Sequence, residues 1–327
     1  MNLQVSFDYA TAAKVAEYFE SAGMAQAAIS MWEGLCFANP YIRRAREKLG
    51  DLYFDQQQSA HPCGSVARSR FVLRLMSTTF PTQKLSCAYF ENLEQLLKAR
   101  VKRTRPGKVI LGIGTGRCGS TTLSAAFAEI PDACSTHENP PLIDWEPQHE
   151  QLRFHMNRLR LLADYYAFVF DASHWWLNAL DTFFDEFLAG QVIGLRRDTG
   201  ACVKSFLHVK GSGRGSVNHW APPENGIWTT TPGDPSYPSY RIPPDLLANP
   251  DAAKAAHIER YVTEYNHSLA SLAKAHPDRL LLLRTEELND SATITRLGSF
   301  VGVPLTMPKT AFNVGSTTDS DKHYFWY

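Results

Sequence analysis

At 327 residues the chain has the length of about two domains, and at that size folding removes about three quarters of the unfolded surface from water. Hydrophobic residues at 44%, charged residues at 20% and aromatic residues at 12% describe a globular protein and exclude disorder, collagen and coiled coil. Lys plus Arg and Asp plus Glu each number 33, so no net field gathers nucleic acid or an anionic membrane, and an anion site has to be local.

Cys36, Cys63, Cys87, Cys118, Cys134 and Cys202 are dispersed without a CxxC pair, which fits reduced thiols better than a disulfide framework or a zinc site. The start, MNLQVSFDYA, has no basic stretch followed by an apolar run, and no segment approaches the ~18 apolar residues of a membrane span. A cytoplasmic protein is expected.

The first sixty residues carry a repeat signal. At an offset of 34, Val15 aligns with Leu49, Ala16 with Gly50 and Phe19 with Tyr53, with Gly23, Ala28, Trp32 and Pro40 between them. Small residues let paired helices approach and large ones fill the groove, so residues 1–60 resemble a tetratricopeptide-type helical segment. A plain three-helix appendage gives the same pattern. Either one is expected to brace the chain or dock a partner protein. The polar DQQQSAHPCGSV, with Pro62 and Gly64, reads as a break, and connecting helices are expected over 61–105.

From Lys108 strands and helices alternate. KVILGI is a buried strand, followed by a Gly-rich turn, the helix STTLSAAFAEI, the strand ACSTH, the helix HEQLRFHMNRLRLLADY and the strand AFVFDA. The helix WLNALDTFFDEFLA, the strand QVIGLR, the helix ACVKSFLHV and the late strand RLLLLRT complete the pattern. Such alternation predicts an α/β domain over 106–327, a parallel sheet with helices on both faces. Residues 211–250, rich in Pro, Gly, Tyr and Trp, are longer than a connection requires and are expected to form a substrate loop or lid.

The turn after the first strand reads Gly114-Thr115-Gly116-Arg117-Cys118-Gly119-Ser120-Thr121-Thr122 and opens a helix, a setting in which backbone N–H groups and the helix dipole favour an anion. Gly114 and Gly119 have the spacing of a nucleotide-triphosphate loop, but Ser120 stands where that loop needs lysine, which argues against a kinase or ATPase. A dinucleotide fingerprint fails as well, because Glu138 follows a His in a proline-flanked turn instead of ending the next strand. Arg197, at the end of the QVIGLR strand, and Ser205, eight residues on in the next helix, can clamp a further phosphate at the same sheet edge.

The pair of motifs resembles the signature of sulfotransferases that use 3′-phosphoadenosine 5′-phosphosulfate: a G-x-G-R-x-G-[ST]-[ST] turn and an R-x7-S pair. LLLLRTEEL and ITRLGSFVGVPL are similar to that family's late segments, in the same order. The resemblance covers about 106 to 316 and implies a P-loop-type α/β fold, with the donor nucleotide as cofactor and no metal. It assigns Gly116, Arg117, Cys118, Gly119, Ser120, Thr121 and Thr122 to the phosphosulfate, Arg197 and Ser205 to the 3′-phosphate, and Gly315 and Ser316 to a last cofactor loop. Cys118 replaces a more usual serine, and Thr122 stands where well-studied members carry an aromatic.

Sulfuryl transfer depends on positioning and fixed positive charge, as phosphoryl transfer does. Arg117 is the candidate to stabilise the leaving phosphate, and Glu138 or His137 the candidate base for the acceptor. His174, Trp175, His208, Trp220 and Trp228 are candidates to line the acceptor site. A neutral chain with an aromatic insertion favours a small hydroxyl- or amine-bearing molecule over a polyanionic glycan; a carbohydrate or a peptide tyrosine is the alternative, and from other classes a P-loop kinase or an inactive nucleotide-binding adaptor. The aromatic tail Tyr324 to Tyr327 is expected to pack on its own domain or across a homodimer. No nucleic acid or membrane partner is expected.

Overall fold

The computed structural model describes residues 9–38, 43–78, 82–141, 143, 149–210, 227–229, 239–241 and 250–308. The chain divides into two units, Met1–Arg100 and Val101–Tyr327, and each is described by itself.

The first unit is helical: α1 (Tyr9–Ser21), α2 (Ala25–Ala38), α3 (Arg43–Gln57), α4 (Val66–Thr78) and α5 (Gln83–Leu97). Gly23, at φ 71°, ends α1 in the left-handed conformation that glycine adopts without a Cβ penalty. Ala13, Ala16 and Ala45 are buried with Ile29, Trp32, Leu35 and Leu49, so small side chains admit the large ring of Trp32 between helices. That ring keeps its polar end satisfied, because Nε1 donates to Glu20 Oε1 at 2.6 Å. Thr82 caps α5 by accepting from the Leu85 N–H, and its hydroxyl donates to Asp51 at 2.6 Å. The buried Asn92 amide accepts from the Gly64 N–H and donates to the Ser69 hydroxyl.

The second unit is an α/β fold built on a five-stranded, all-parallel sheet flanked by helices. Its elements are β1 (Lys108–Gly114), α6 (Ser120–Ala128), β2 (Ala133–His137), α7 (His149–Ala163), β3 (Phe168–Ala172), α8 (Leu180–Glu186), β4 (Gln191–Arg196) and α9 (Thr199–Lys210). A short antiparallel pair, β5 (Ile227–Thr229) and β6 (Ser239–Arg241), precedes α10 (Pro250–Ala275), β7 (Leu280–Arg284) and α11 (Ser291–Val301). The strand order is β2-β3-β1-β4-β7. The central strands are apolar on both faces, as a doubly covered parallel sheet requires. Phe127 of α6 stacks on Phe170 of β3 at 4.1 Å between ring centroids, at the heart of this core.

The order places a topological switch beside β1. The chain leaves β1 toward β2 on one side, whereas β4 leads to β7 on the other, so a crevice opens between the carboxyl ends of β1 and β4.

Two elements differ from expectation. The helix expected over 176–189 begins instead as a 3-10 segment, His174–Ala179, before α8. The Trp176 indole N–H donates to Asp171 at 2.7 Å and the Tyr265 hydroxyl donates to the His174 carbonyl at 2.8 Å, which holds the segment tight against β3. The 26-residue α10 was not anticipated, although Ile258, Tyr261, Tyr265, Leu269 and Leu272 recur at helical spacing.

One ion pair is wholly inside. Arg158 of α7 donates to Asp171 of β3 at 2.9 Å, with both side chains fully buried. Burial alone raises the Asp171 carboxyl, but Arg158, His155 and hydrogen bonds from Thr136 and Trp176 outweigh it and hold the pKa below the usual carboxylate value. Breaking such a pair from one side costs about 3–5 kcal/mol, so Arg158→Leu is expected to lower the unfolding free energy extrapolated from urea titration by that amount. Because the folded-state pKa is depressed, the stabilisation is present above the ordinary carboxylate pKa and is lost as pH falls through the lowered native value. Urea midpoints measured on the acid side should therefore fall more steeply for the wild type than for Asp171→Asn.

Candidate functional site

The site grows from β1. A Cβ on Gly112 would lie 2.5 Å from the Phe170 ring, and one on Gly114 would lie 2.4 Å from Cys118 Sγ and 2.9 Å from the Leu195 carbonyl, so both positions exclude a side chain. Beyond Gly114 the chain turns through Gly116 at φ 78°, Arg117 at φ 55° and Gly119 at φ 91° before α6 starts at Ser120.

Every carbonyl of this turn is engaged. Thr115 accepts from the Tyr261 hydroxyl of α10 at 2.9 Å, Gly116 from the Thr115 hydroxyl at 2.9 Å, and Arg117 from Arg197 Nη1 at 2.8 Å. Cys118 accepts from the Thr285 hydroxyl at 2.5 Å, and Gly119 from the Leu123 N–H of α6.

The two predicted anion elements meet. Arg117 Nε donates to Ser205 Oγ of α9 at 3.1 Å, and Arg197, just beyond β4, donates to the Arg117 backbone. Asp198 accepts from the Ala201 N–H at the start of α9, which fixes where that helix starts and hence where Ser205 stands. Burial, followed by the neighbouring Arg197 charge, lowers the Arg117 pKa from its usual value, and Glu138 opposes the shift. A guanidinium nonetheless stays charged. Cys118 is fully buried, and burial pushes its thiol up to about 12, so it acts as packing and not as a nucleophile.

The second strand supplies the other wall. Ser124 of α6 and Ser135 of β2 are hydrogen-bonded at 2.9 Å between their hydroxyls, seating the helix on the strand. His137 Nε2 lies 3.0 Å from Ser120 Oγ, so one candidate base is engaged by the turn itself. Glu138 sits at φ 49°, its N–H held by the Ala172 carbonyl, and its carboxylate, about one third exposed, lies 4.0 Å from His174 Nδ1. Among the described residues only Arg117, Asp132 and Glu138 are non-glycine residues at positive φ. Two of the three are in this crevice, and strain of this kind gathers where function requires a set geometry.

The predicted residues therefore fall into three contacts: Arg117 with Arg197 and Ser205, Ser120 with His137, and Glu138 with His174 and its neighbour Trp175. Gly116, Cys118, Gly119, Thr121 and Thr122 complete the turn and the first turn of α6. His208 is exposed near the end of α9 and is not brought into these contacts. Trp228 lies on β5, with its side chain outside the description; Trp220, Gly315, Ser316 and the aromatic tail lie outside the described residues. Tyr261, Tyr265, Thr285 and Asn139 were not anticipated. Only the helical spacing of the two tyrosines hinted at them. Among the described residues no three His, Cys, Asp or Glu side chains gather as a metal site, and no helix is long and apolar enough to cross a membrane.

No family model matches the chain, and no curated protein matches it. Solved structures do. A sulfotransferase from Alicyclobacillus acidocaldarius aligns at 15% identity and a TM-score of 0.37, covering 62% of this chain and 82% of its own. The sulfotransferase domain of the Synechococcus PCC 7002 olefin synthase aligns at 16% identity and a TM-score of 0.36, covering 63% and 78%.

The glycine contacts give a direct test of the turn. Gly114→Ala forces a methyl group against Cys118 Sγ and the Leu195 carbonyl. Overpacking of this kind costs about 1–3 kcal/mol, so the variant is expected to unfold at correspondingly lower denaturant and to lose binding of any phosphorylated ligand at the turn.

Proposed function

We propose that the chain transfers a sulfuryl group from 3′-phosphoadenosine 5′-phosphosulfate to a hydroxyl or amine of a small organic molecule. The observation that carries this reading is the hydrogen-bonded trio Arg117, Ser205 and Arg197: two cationic side chains and a hydroxyl from separate elements converge on one phosphate-type turn that lacks the lysine of a triphosphate loop. A nucleotide with phosphates at both ends of its ribose matches that donor set, because Arg117 and the 116–122 turn suit one anionic group while Arg197 and Ser205 suit the other. The motif order that resembles sulfotransferases supports the same reading.

When bound, the donor supplies an electrophilic sulfuryl group attached to a phosphate that leaves. The residues of the chain do the rest. Arg117, desolvated and held close to Ser205, is the fixed positive charge at the leaving oxygen. Ser120, Thr121 and Thr122 add hydroxyl and N–H donors at the helix start. Glu138 takes the acceptor proton, since about one third of its side chain is exposed, whereas His137 orients the Ser120 hydroxyl. His174 stands behind Glu138, and the acceptor approaches along Trp175. The N-terminal helices brace the chain or dock a partner protein, and six free thiols suit a reducing, cytoplasmic setting.

Thermal shift with adenosine 3′,5′-bisphosphate, set against ATP with magnesium, tests the reading. The bisphosphate is expected to stabilise the protein, and stabilisation by ATP–magnesium alone would overturn the assignment. Removing one preorganised charge donor typically costs about 3–4 kcal/mol in the transition state, so Arg117→Ala is expected to lose roughly a hundredfold or more in turnover. Glu138→Gln is expected to lose about 10²–10⁴-fold in turnover and to keep its bisphosphate-induced shift, the pattern of a missing base.

A further inference from the structure

One corner of the sheet holds both halves of the anion crevice. β7 pairs with β4 so that Arg284 stands opposite Arg196, and the residues that follow, Thr285-Glu286-Glu287, turn as a 3-10 segment beside the end of β4. The Thr285 hydroxyl donates to the Cys118 carbonyl at 2.5 Å and lies 3.1 Å from the Arg196 carbonyl. A Cβ placed on Gly119 would lie 3.2 Å from the Thr285 methyl carbon, so the same side chain rests on the turn. Glu286 Oε1 accepts from the Asp198 N–H at 3.2 Å. That N–H belongs to the peptide unit that follows Arg197, and because the unit is planar the Arg197 carbonyl is fixed with it.

β7 is not a neighbour of β1, since β4 lies between them. The corner therefore reaches past β4 to the turn after β1. On one side it holds Cys118, in the turn that carries Arg117; on the other it holds Arg196 and Asp198, which flank Arg197. Leu288, three residues on, is buried in the same core cluster as Cys118 and anchors the corner. The direct links between the two halves are Arg197 Nη1 to the Arg117 carbonyl and Arg117 Nε to Ser205 Oγ. Those links use side chains that a bound phosphate would also engage. Thr285 and Glu286 hold the same segments through backbone groups, so the spacing does not depend on what the cationic side chains are doing. A ligand with two anionic groups gains from its second contact only when the span between the subsites matches its own, because that contact is intramolecular and its effective concentration falls when the geometry is wrong.

We infer that Thr285 and Glu286 are positioning residues that set the span between the subsite of Arg117 and that of Arg197 and Ser205, so that the chain prefers a nucleotide phosphorylated at both ends of its ribose to one phosphorylated at either end alone. Neither side chain need touch the ligand; each acts through a backbone group of the segment it holds. This inference rests on the sulfuryl-transfer reading and adds to it the residues that keep its two phosphate contacts in register.

The test titrates the full chain with adenosine 3′,5′-bisphosphate, adenosine 5′-monophosphate and adenosine 3′-monophosphate, and reads the ratio of bisphosphate to monophosphate affinity. Thr285→Val keeps the shape and removes the hydroxyl. It is expected to weaken the bisphosphate by about tenfold and either monophosphate by less than about twofold, because only the ligand that spans both subsites feels their separation. Thr285→Ser, which keeps the hydroxyl, is expected to restore the wild-type ratio. Glu286→Ala is expected to lower the ratio by about threefold, the worth of one hydrogen bond, and Glu286→Gln, which keeps an accepting oxygen, to stay close to wild type. A merely structural loss weakens all three ligands alike and leaves the ratio in place. Glu286 is exposed, so its variants carry the test if Thr285→Val does not fold. The inference is overturned if the folded Thr285→Val or Glu286→Ala chain keeps the wild-type ratio, if Thr285→Ser lowers it as Thr285→Val does, or if the wild type binds a monophosphate as tightly as the bisphosphate. A wild-type chain that the bisphosphate does not stabilise overturns the parent reading instead, and this one with it.

Discussion

The five carbonyls of the 115–119 turn are the constraint on which the site depends. Each accepts a hydrogen bond, and three of the donors come from elements remote in sequence: Tyr261 on α10, Arg197 beyond β4 and Thr285 beyond β7. The Thr285 hydroxyl also lies 3.1 Å from the Arg196 carbonyl, which ties the end of β4 to the same turn. Gly116 and Gly119 take the left-handed conformation freely, whereas Arg117 at φ 55° is costly to hold by itself. Bound from three directions the turn becomes a rigid edge, and donors on such an edge stabilise a neighbouring charge without reorganising.

The buried chemistry of β2 and β3 serves the facing wall in the same way. Asp171 gathers Arg158, Thr136 and Trp176 around one carboxylate. That fixes the start of the 3-10 segment, and with it His174 and Trp175, while Tyr265 holds the His174 carbonyl from α10. One helix therefore anchors both walls, through Tyr261 on one side and Tyr265, a turn later, on the other. The Glu138–His174 pair lies where these supports converge.

Much of the frame was legible. The buried run KVILGI, the apolar runs of β3, β4 and β7, and the alternation with helices predicted a parallel sheet, and the five-stranded sheet is parallel throughout. The turn was legible because glycines at 114, 116 and 119 have few structural uses at that spacing, and Gly114 proves to leave no room for a Cβ. The 3-10 start at His174 was not legible, since its cause is an indole N–H reaching a carboxylate on a neighbouring strand. Asn139 was invisible for a similar reason: an Asn before two prolines reads as a turn residue until burial removes its access to water.

Local patterns, the alternation of apolar residues, the glycines of the turn and the placement of Arg117, Arg197 and Ser205 along the chain, determined the fold class and the residues that could meet an anion. Which of them meet was decided only in three dimensions, where strand order brings β4 beside β1 and sets Arg117 against Ser205, 88 residues away. The same holds for the candidate base, because the engagement of His137 by Ser120 and the approach of Glu138 to His174 depend on burial and partner geometry. Those are properties of the packed chain, and no spacing of residues along it encodes them directly.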